Sequence, residues 1–191
     1  MTESSVDPRV ERTRRVVLEA ALDELAEVGY GALTVEGVAR RAGVGKATMY
    51  RHWAGKLDLV GEAITMLKQN VKAPDTDDHR ERIAGFVRAL AEHLAVSRSS
   101  ACLPAIIDAS ERDEAVREMH HLTSAARRAY VADLLDEARR AGHLAADLDL
   151  DLLAQLLVGP LFLRRLTTSE PFPVDRVEDL VAMVLDPYWQ V

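Results

Sequence analysis

Cysteine occurs once in the 191 residues, at Cys102, so no disulfide can form within the chain and a reducing compartment suits it. Aromatic residues make up only 5% of the sequence, and neither Asn-Gly nor Asp-Gly hairpin turns nor alternating β-branched runs occur in it. Strands leave those signals, so their absence argues against a sheet. No apolar stretch approaches the roughly 20 residues that a membrane helix needs. No basic-then-apolar leader opens the sequence either. The expected location is therefore cytoplasmic, with no membrane partner. A further shortage is local. Between Glu36 and Asp58 there is no acidic residue, although the whole chain carries 31 of them.

What is present favours helix. Ala, Leu, Val, Glu and Arg dominate, and 48% of residues are hydrophobic, enough to bury a core. Nine helices are expected from the spacing of apolar residues and from caps and breakers. The first four span 9–28, stopped by Gly29; 35–41, capped by Thr34; 45–53; and 56–69. Five more follow the polar link APDTDD (73–78): 79–96, 101–109 interrupted at Pro104, 112–141 stopped by Gly142, 149–167 kinked at Gly159-Pro160, and 174–186. Cys102, within ACLPAII, reads as a small core residue. The fold class is all-α, with residues 1–56 as one domain and 57–191 as a second.

The charge is unevenly placed. Residues 1–56 carry nine Lys/Arg against eight Asp/Glu, whereas the remainder is strongly acidic and brings the total to −7. Arg40, Arg41, Lys46, Arg51 and Lys56 all fall in the acid-free stretch. A basic stripe on an acidic protein points to one polyanion-facing end and a different task for the rest.

Gly45-Lys46-Ala47 within that stripe superficially suggests a phosphate-binding P-loop. That loop requires a Gly where Arg40 stands and a hydroxyl where Ala47 stands, and it follows a buried strand. VEGVARRA (35–42) reads as helix instead, so the P-loop is excluded. A helix-turn-helix meets its own requirements: small Ala39 at the crossing, Gly43 in the turn, and Val38, Ala42, Val44 and Met49 facing inward. An ordinary helical hairpin would share several of these features.

The segment TVEGVARRAGVGKATMYRHWAGKLDLV (34–60) resembles the DNA-binding signature of the TetR family of transcriptional repressors. GHLAADLDLDLLAQLLVGPLFLRRLTTSEPF (142–172) is similar to the late helices of one group of that family. The sequence departs from the usual pattern at Gly45, where Ser is common, at Ala47, where Gly is common, and at Trp53, where Phe is usual. Trp53 reads as core, and Arg40 and Arg41 as a solvated face.

The resemblance implies a bacterial, dimeric, ligand-responsive repressor. Its N-terminal three-helix helix-turn-helix domain would bind DNA, and its C-terminal helical domain would bind an effector and dimerise. Lys46, Ala47, Thr48 and Tyr50 are expected to reach the major groove. Thr34, Tyr50, His52 and Lys56 are expected at backbone phosphates, and Arg12, Arg14 and Arg15 are further cations near that end. The partners implied are double-stranded DNA carrying an inverted-repeat operator, a small-molecule effector and a second copy of the chain. Met66, Phe86, His93, Leu103, Met119, His120 and Tyr130 are candidates to line the effector site, although such residues are more often plain core. Leu153, Leu157 and Leu161, with Val177, Val181 and Val184, are candidates for a dimer face or for intrachain core, which periodicity alone does not separate.

No enzyme constellation is found. His120 and His121 are adjacent and diverge by roughly 100° on a helix, so they cannot share a metal. There is no His-x-x-x-His, CxxC or Gly-x-Ser-x-Gly pattern. No catalytic residue, metal or cofactor is expected. A helical adaptor that binds protein is the alternative, and it would leave the acid-free basic stripe unexplained. The excess of Arg over Lys is consistent with a GC-rich bacterial genome.

Overall fold

The computed structural model describes residues 8–68, 71–96 and 98–190, which hold nine α-helices and no named strand. In order these are α1 (Pro8–Ala32), α2 (Val35–Ala42), α3 (Lys46–His52), α4 (Lys56–Lys68), α5 (His79–Val96), α6 (Arg98–Ser110), α7 (Glu114–Arg140), α8 (Leu150–Thr167) and α9 (Val177–Leu185). Short 3-10 turns flank α9. No described helix is long and apolar enough to cross a membrane.

The sequence breakers act where expected. Gly29 has φ 74° and ψ 167°, so α1 changes direction there before a last turn through Tyr30. Gly142, at φ 87°, closes α7 with His143 N–H donating to Ala138 C=O. That is the hydrogen-bond pattern of a left-handed helix terminus, which side chains disfavour. Pro104 behaves differently from expectation. α6 runs unbroken through it from residue 98 to 110. A proline in a helix forfeits only its own N–H bond and strains one turn, which tertiary packing can override.

The chain divides into two compact units, Met1–Lys68 with Ala101–His120, and Gln69–Ser100 with His121–Val191. This division follows packing rather than the end of the basic stripe. In the first unit α1 packs on α2 and α4. Val17, Leu18, Leu22 and Leu25 of α1 bury with Val38, Met49, Leu59, Val60 and Ala63. Cys102, Ile106, Ala109 and Val116 join the same cluster, which is why residues after 100 belong to this unit. Cys102 donates its S–H to Leu22 C=O at 3.1 Å, and burial pushes its thiol up to about 11, with Asp23 adding to the effect. It is a core residue and unreactive at neutral pH.

In the second unit α5 packs against both α8 and α9, which also pack on each other. Ile83, Phe86, Val87, Leu90 and Leu94 of α5 are buried, as are Val131, Leu134 and Leu135 of α7. Asp149 caps α8 by accepting from Leu152 N–H at 3.0 Å. Beyond α9 the chain returns to the α7–α8 loop, where Gln190 N–H donates to His143 C=O at 2.8 Å.

Of the six residues expected at either a dimer face or a core, Leu153, Leu157, Leu161, Val177 and Val181 are buried within the chain, and Val184 is half-buried. The exposed apolar residues of α8 are Leu152, Leu156, Leu163 and Leu166, and α9 adds Met183. Residues 153, 157 and 161 take one side of the helix and 152, 156, 163 and 166 another. Both sets have helical spacing, so the period alone could not choose between them.

Candidate DNA-binding interface

The geometry of the basic stripe begins with its caps. Thr34 is extended at φ −128° and ψ 149°, and its hydroxyl oxygen accepts from Gly37 N–H at 3.0 Å. This satisfies one of the donors left over at the start of α2. Because the oxygen only accepts in this bond, its O–H proton stays available. At the other end Gly43 adopts the left-handed conformation (φ 68°, ψ 28°). Val44 N–H then donates to Ala39 C=O at 3.0 Å and Gly43 N–H to Arg40 C=O at 3.3 Å. Such a paired terminus reverses the chain within three residues and launches α3 directly.

α3 is only seven residues long and has no side-chain cap, since Gly45 occupies that position. Its orientation comes from packing. Met49 is fully buried and Trp53, which ends the helix, is 2% exposed, so both act as core anchors. The Trp53 indole N–H donates to Glu62 Oε2 of α4 at 2.9 Å, and Arg14 of α1 donates to Glu62 Oε1 at 2.6 Å. Burial works to raise the Glu62 carboxyl, but these two hydrogen bonds and the Arg14 charge outweigh it and hold the group below its ordinary range. Glu62 thereby connects α1, α4 and the end of α3, a role that the sequence did not signal.

With Met49 and Trp53 turned inward, α3 presents Lys46, Ala47, Tyr50, Arg51 and His52 to solvent, and Thr48 half so. The Tyr50 phenol donates to Glu36 of α2, and Lys46 lies 3.9 Å from the same carboxylate oxygen. Hydrogen bonding from Tyr50 is the main cause of a lowered Glu36 carboxyl, and the same bond raises the Tyr50 phenol. His52 also lies beside Trp53, with ring centroids 5.7 Å apart.

Not every cation of the stripe is available. Arg41 pairs with Glu24 at 2.7 Å and with Glu27, both on α1, so it braces α2. Lys56 points its ammonium at the end of α1, donating to Tyr30 C=O at 3.1 Å and lying 4.4 Å from the Tyr30 ring centroid. That placement satisfies leftover carbonyls at a helix end and adds a cation–π contact. Arg40 remains exposed.

The seven residues expected around an effector fall in both units. Met66, Leu103, Met119 and His120 belong to the first, where Met66 and Met119 pack against the core. Phe86, His93 and Tyr130 belong to the second, where the Phe86 and Tyr130 rings lie 5.1 Å apart.

Two short helices joined by a left-handed glycine, the second presenting an acid-free basic face, define a helix-turn-helix transcriptional regulator. The comparisons agree along nearly the whole length. Residues 17–63 match the bacterial regulatory proteins of the tetR family, and residues 73–184 match the tetracyclin repressor-like C-terminal domain. The chain belongs to the TetR family of transcriptional regulators. It is 32% identical to the uncharacterized HTH-type transcriptional regulator YdeS of Bacillus subtilis, over 91% of this chain and 88% of that protein. Among solved structures it is similar to the TetR family transcription regulator SCO0332, with 31% identity, a TM-score of 0.70, and 92% and 97% of the two chains covered. The SmeT–triclosan complex shares the fold at 21% identity and a TM-score of 0.74, over 94% of this chain and 92% of that one.

Proposed function

We propose that this regulator is a homodimeric, cytoplasmic repressor that binds an inverted-repeat operator and is released from it by a small molecule. The observation that carries the DNA-binding part is the exposed face of α3, held by Met49 and Trp53 and free of acid along its own length. Lys46 is positioned to donate to guanine O6 or N7, and Ala47 and the Thr48 methyl to touch a thymine methyl. Thr34 and His52 serve backbone phosphates, Thr34 through the hydroxyl proton that its cap leaves available, and Tyr50 joins them when its phenol proton turns from Glu36 to the DNA. Lys56, engaged with α1, acts chiefly by fixing α4 to the end of α1.

A single recognition helix covers too little DNA for useful specificity, so two copies are needed. Leu152, Leu156, Leu163 and Leu166 form one exposed stripe on α8, with Gly159 between them and nothing within 4 Å of its position for an added methyl. Small-residue gaps in an apolar stripe let a second helix approach, and exposed patches of this kind mark interfaces. A second copy of the chain is the occupant we assign, with Met183 of α9 at its edge. Leu156→Glu is then expected to yield monomers by sedimentation and to abolish operator binding.

The effector acts on the second unit, with Phe86, His93 and Tyr130 as its candidate contacts. Support for ligand response comes from the shared fold of the triclosan complex, and linkage requires only that the ligand prefer the conformation that DNA does not. The test of the whole reading is selection of the purified protein against random duplex DNA at near-physiological salt. An enriched inverted repeat is the expected result. A folded, effector-stripped protein that enriches nothing would overturn it.

A further inference from the structure

The second unit pairs nearly all its partly buried arginines with acids. Arg82 meets Glu137, Arg88 meets Glu81 and Glu178, Arg80 meets Asp186, and Arg139 meets Asp136. Arg165 of α8 is one exception, and Arg127, at the middle of α7, is another. Its guanidinium lies 4.7 Å over the ring of Phe162 from α8, and among the described residues no carboxylate pairs with it. Burial pushes its pKa down, and the neighbouring Arg128 pushes the same way. A guanidinium does not give up its proton in a protein, so a half-buried charge remains there with no carboxylate against it.

His93 on α5 is lowered first by burial and then by the charge of Arg127, which keeps the imidazole neutral near pH 7. Arg165, one turn beyond Phe162 on α8, donates to the buried Ser100 hydroxyl at 3.3 Å rather than to an acid. The apolar part lies alongside. Tyr130 follows Arg127 by one turn on α7, and Phe86 precedes His93 by two turns on α5, with the Phe86 and Tyr130 rings 5.1 Å apart. The α5–α7 contact thus carries an aromatic pair at one level, and the charge of Arg127 acts on His93 further along.

We propose that Arg127, His93 and Phe162 form the anion-recognition end of the effector site, and that the effector is an organic carboxylate with an apolar or aromatic body. This deepens the regulator reading and rests on it for the word effector. Arg127 offers a planar fork to the two carboxylate oxygens while Phe162 covers one face of that fork. His93 borders the fork on the α5 side, and the body lies toward Phe86 and Tyr130. A bound carboxylate would supply the counter-charge that the protein itself does not.

The test measures binding of octanoate and 1-naphthoate against their neutral partners octanamide and 1-naphthamide. Ligand-detected NMR and thermal shift on the full-length protein give the readout. The wild type should prefer at least one acid over its amide by about tenfold or more, the effect of a charge-assisted hydrogen-bonded pair. Arg127→Met should erase that preference, and Arg127→Lys, which keeps the charge and loses the fork, should keep part of it. Circular dichroism establishes that each variant is folded, and Arg127→Gln replaces the Met variant should that one fail. Absence of acid binding, equal affinity for acid and amide, or a preference that survives removal of the guanidinium would each overturn the proposal. The same preparations are assayed on the selected DNA. Operator binding without acid preference leaves the regulator reading standing and removes this one, whereas acid preference without operator binding does the reverse.

Discussion

The Tyr50 phenol on α3 donates to Glu36 on α2 at 2.9 Å, and the Lys46 ammonium lies 3.9 Å from the same oxygen. The last acid before the basic stripe therefore holds two of the residues assigned to DNA. Its charge opposes phosphate while its oxygen orients Tyr50. Glu36→Gln keeps an acceptor for Tyr50 and removes the charge. Affinity for duplexes of any sequence should rise severalfold, and the salt dependence should steepen by about one ion, since a charge that repels phosphate is removed. Fluorescence anisotropy at several salt concentrations measures both. Unchanged affinity and slope would show that Glu36 lies away from the phosphates.

Glu62 receives Trp53 and Arg14 at once. The Arg14 pair is half exposed and worth little by itself. The indole N–H is buried, so its bond matters more. Glu62→Leu should cost about 1–3 kcal/mol by leaving that donor unmade, whereas Glu62→Gln can still accept from it and should cost about 1 kcal/mol or less. Urea unfolding followed through Trp fluorescence separates the two. Equal losses would mean that the Arg14 charge, rather than the Trp53 bond, is what Glu62 supplies.

How much of this was legible in the sequence depends on the kind of signal. Gly29, Gly43, Thr34 and Gly142 act where local chemistry places them, because caps and left-handed turns are properties of a few neighbouring residues. The basic stripe was legible as charge, yet Arg41 and Lys56 turn out to be spent on α1. Their partners Glu24 and Tyr30 lie far away in sequence, and no local pattern encodes such pairs. Helix α8 shows the same limit. Two apolar stripes share its period, and only the position of α5 and α9 decides that Leu153, Leu157 and Leu161 face inward. Arg127 gave no signal at all, since an arginine in a long polar helix ordinarily reads as solvated.

Gly85 lies on α5 against Pro74. A methyl added there would come within 2.6 Å of the Pro74 ring carbons. Alanine is the better helix former by roughly 1 kcal/mol, so the two effects oppose each other. The pyrrolidine ring cannot rotate away, and overpacking of this severity costs about 1–3 kcal/mol. Gly85→Ala should therefore be destabilising, and adding Pro74→Ala should restore stability to wild type or above. Thermal unfolding of the single and double variants checks this. A stabilised single variant would show that the 73–78 link moves aside freely.

The lowered pKa of His93 has a pH signature whose sign is fixed. Burial, and then Arg127, favour the neutral imidazole in the folded protein. Below the ordinary histidine value of about 6.5 the unfolded chain binds a proton that the folded chain refuses. Stability contributed by the neutral ring is thus complete above that value and is lost as pH falls through it toward the folded pKa. The melting temperature should drop between about pH 7.5 and about pH 5, a range in which most carboxylates remain ionised. His93→Gln should flatten that part of the curve. Arg127→Met should flatten it in part, because it removes the second cause and leaves the first. If His93→Gln leaves the slope as it was, the acid sensitivity resides elsewhere and the imidazole is not held neutral by its surroundings.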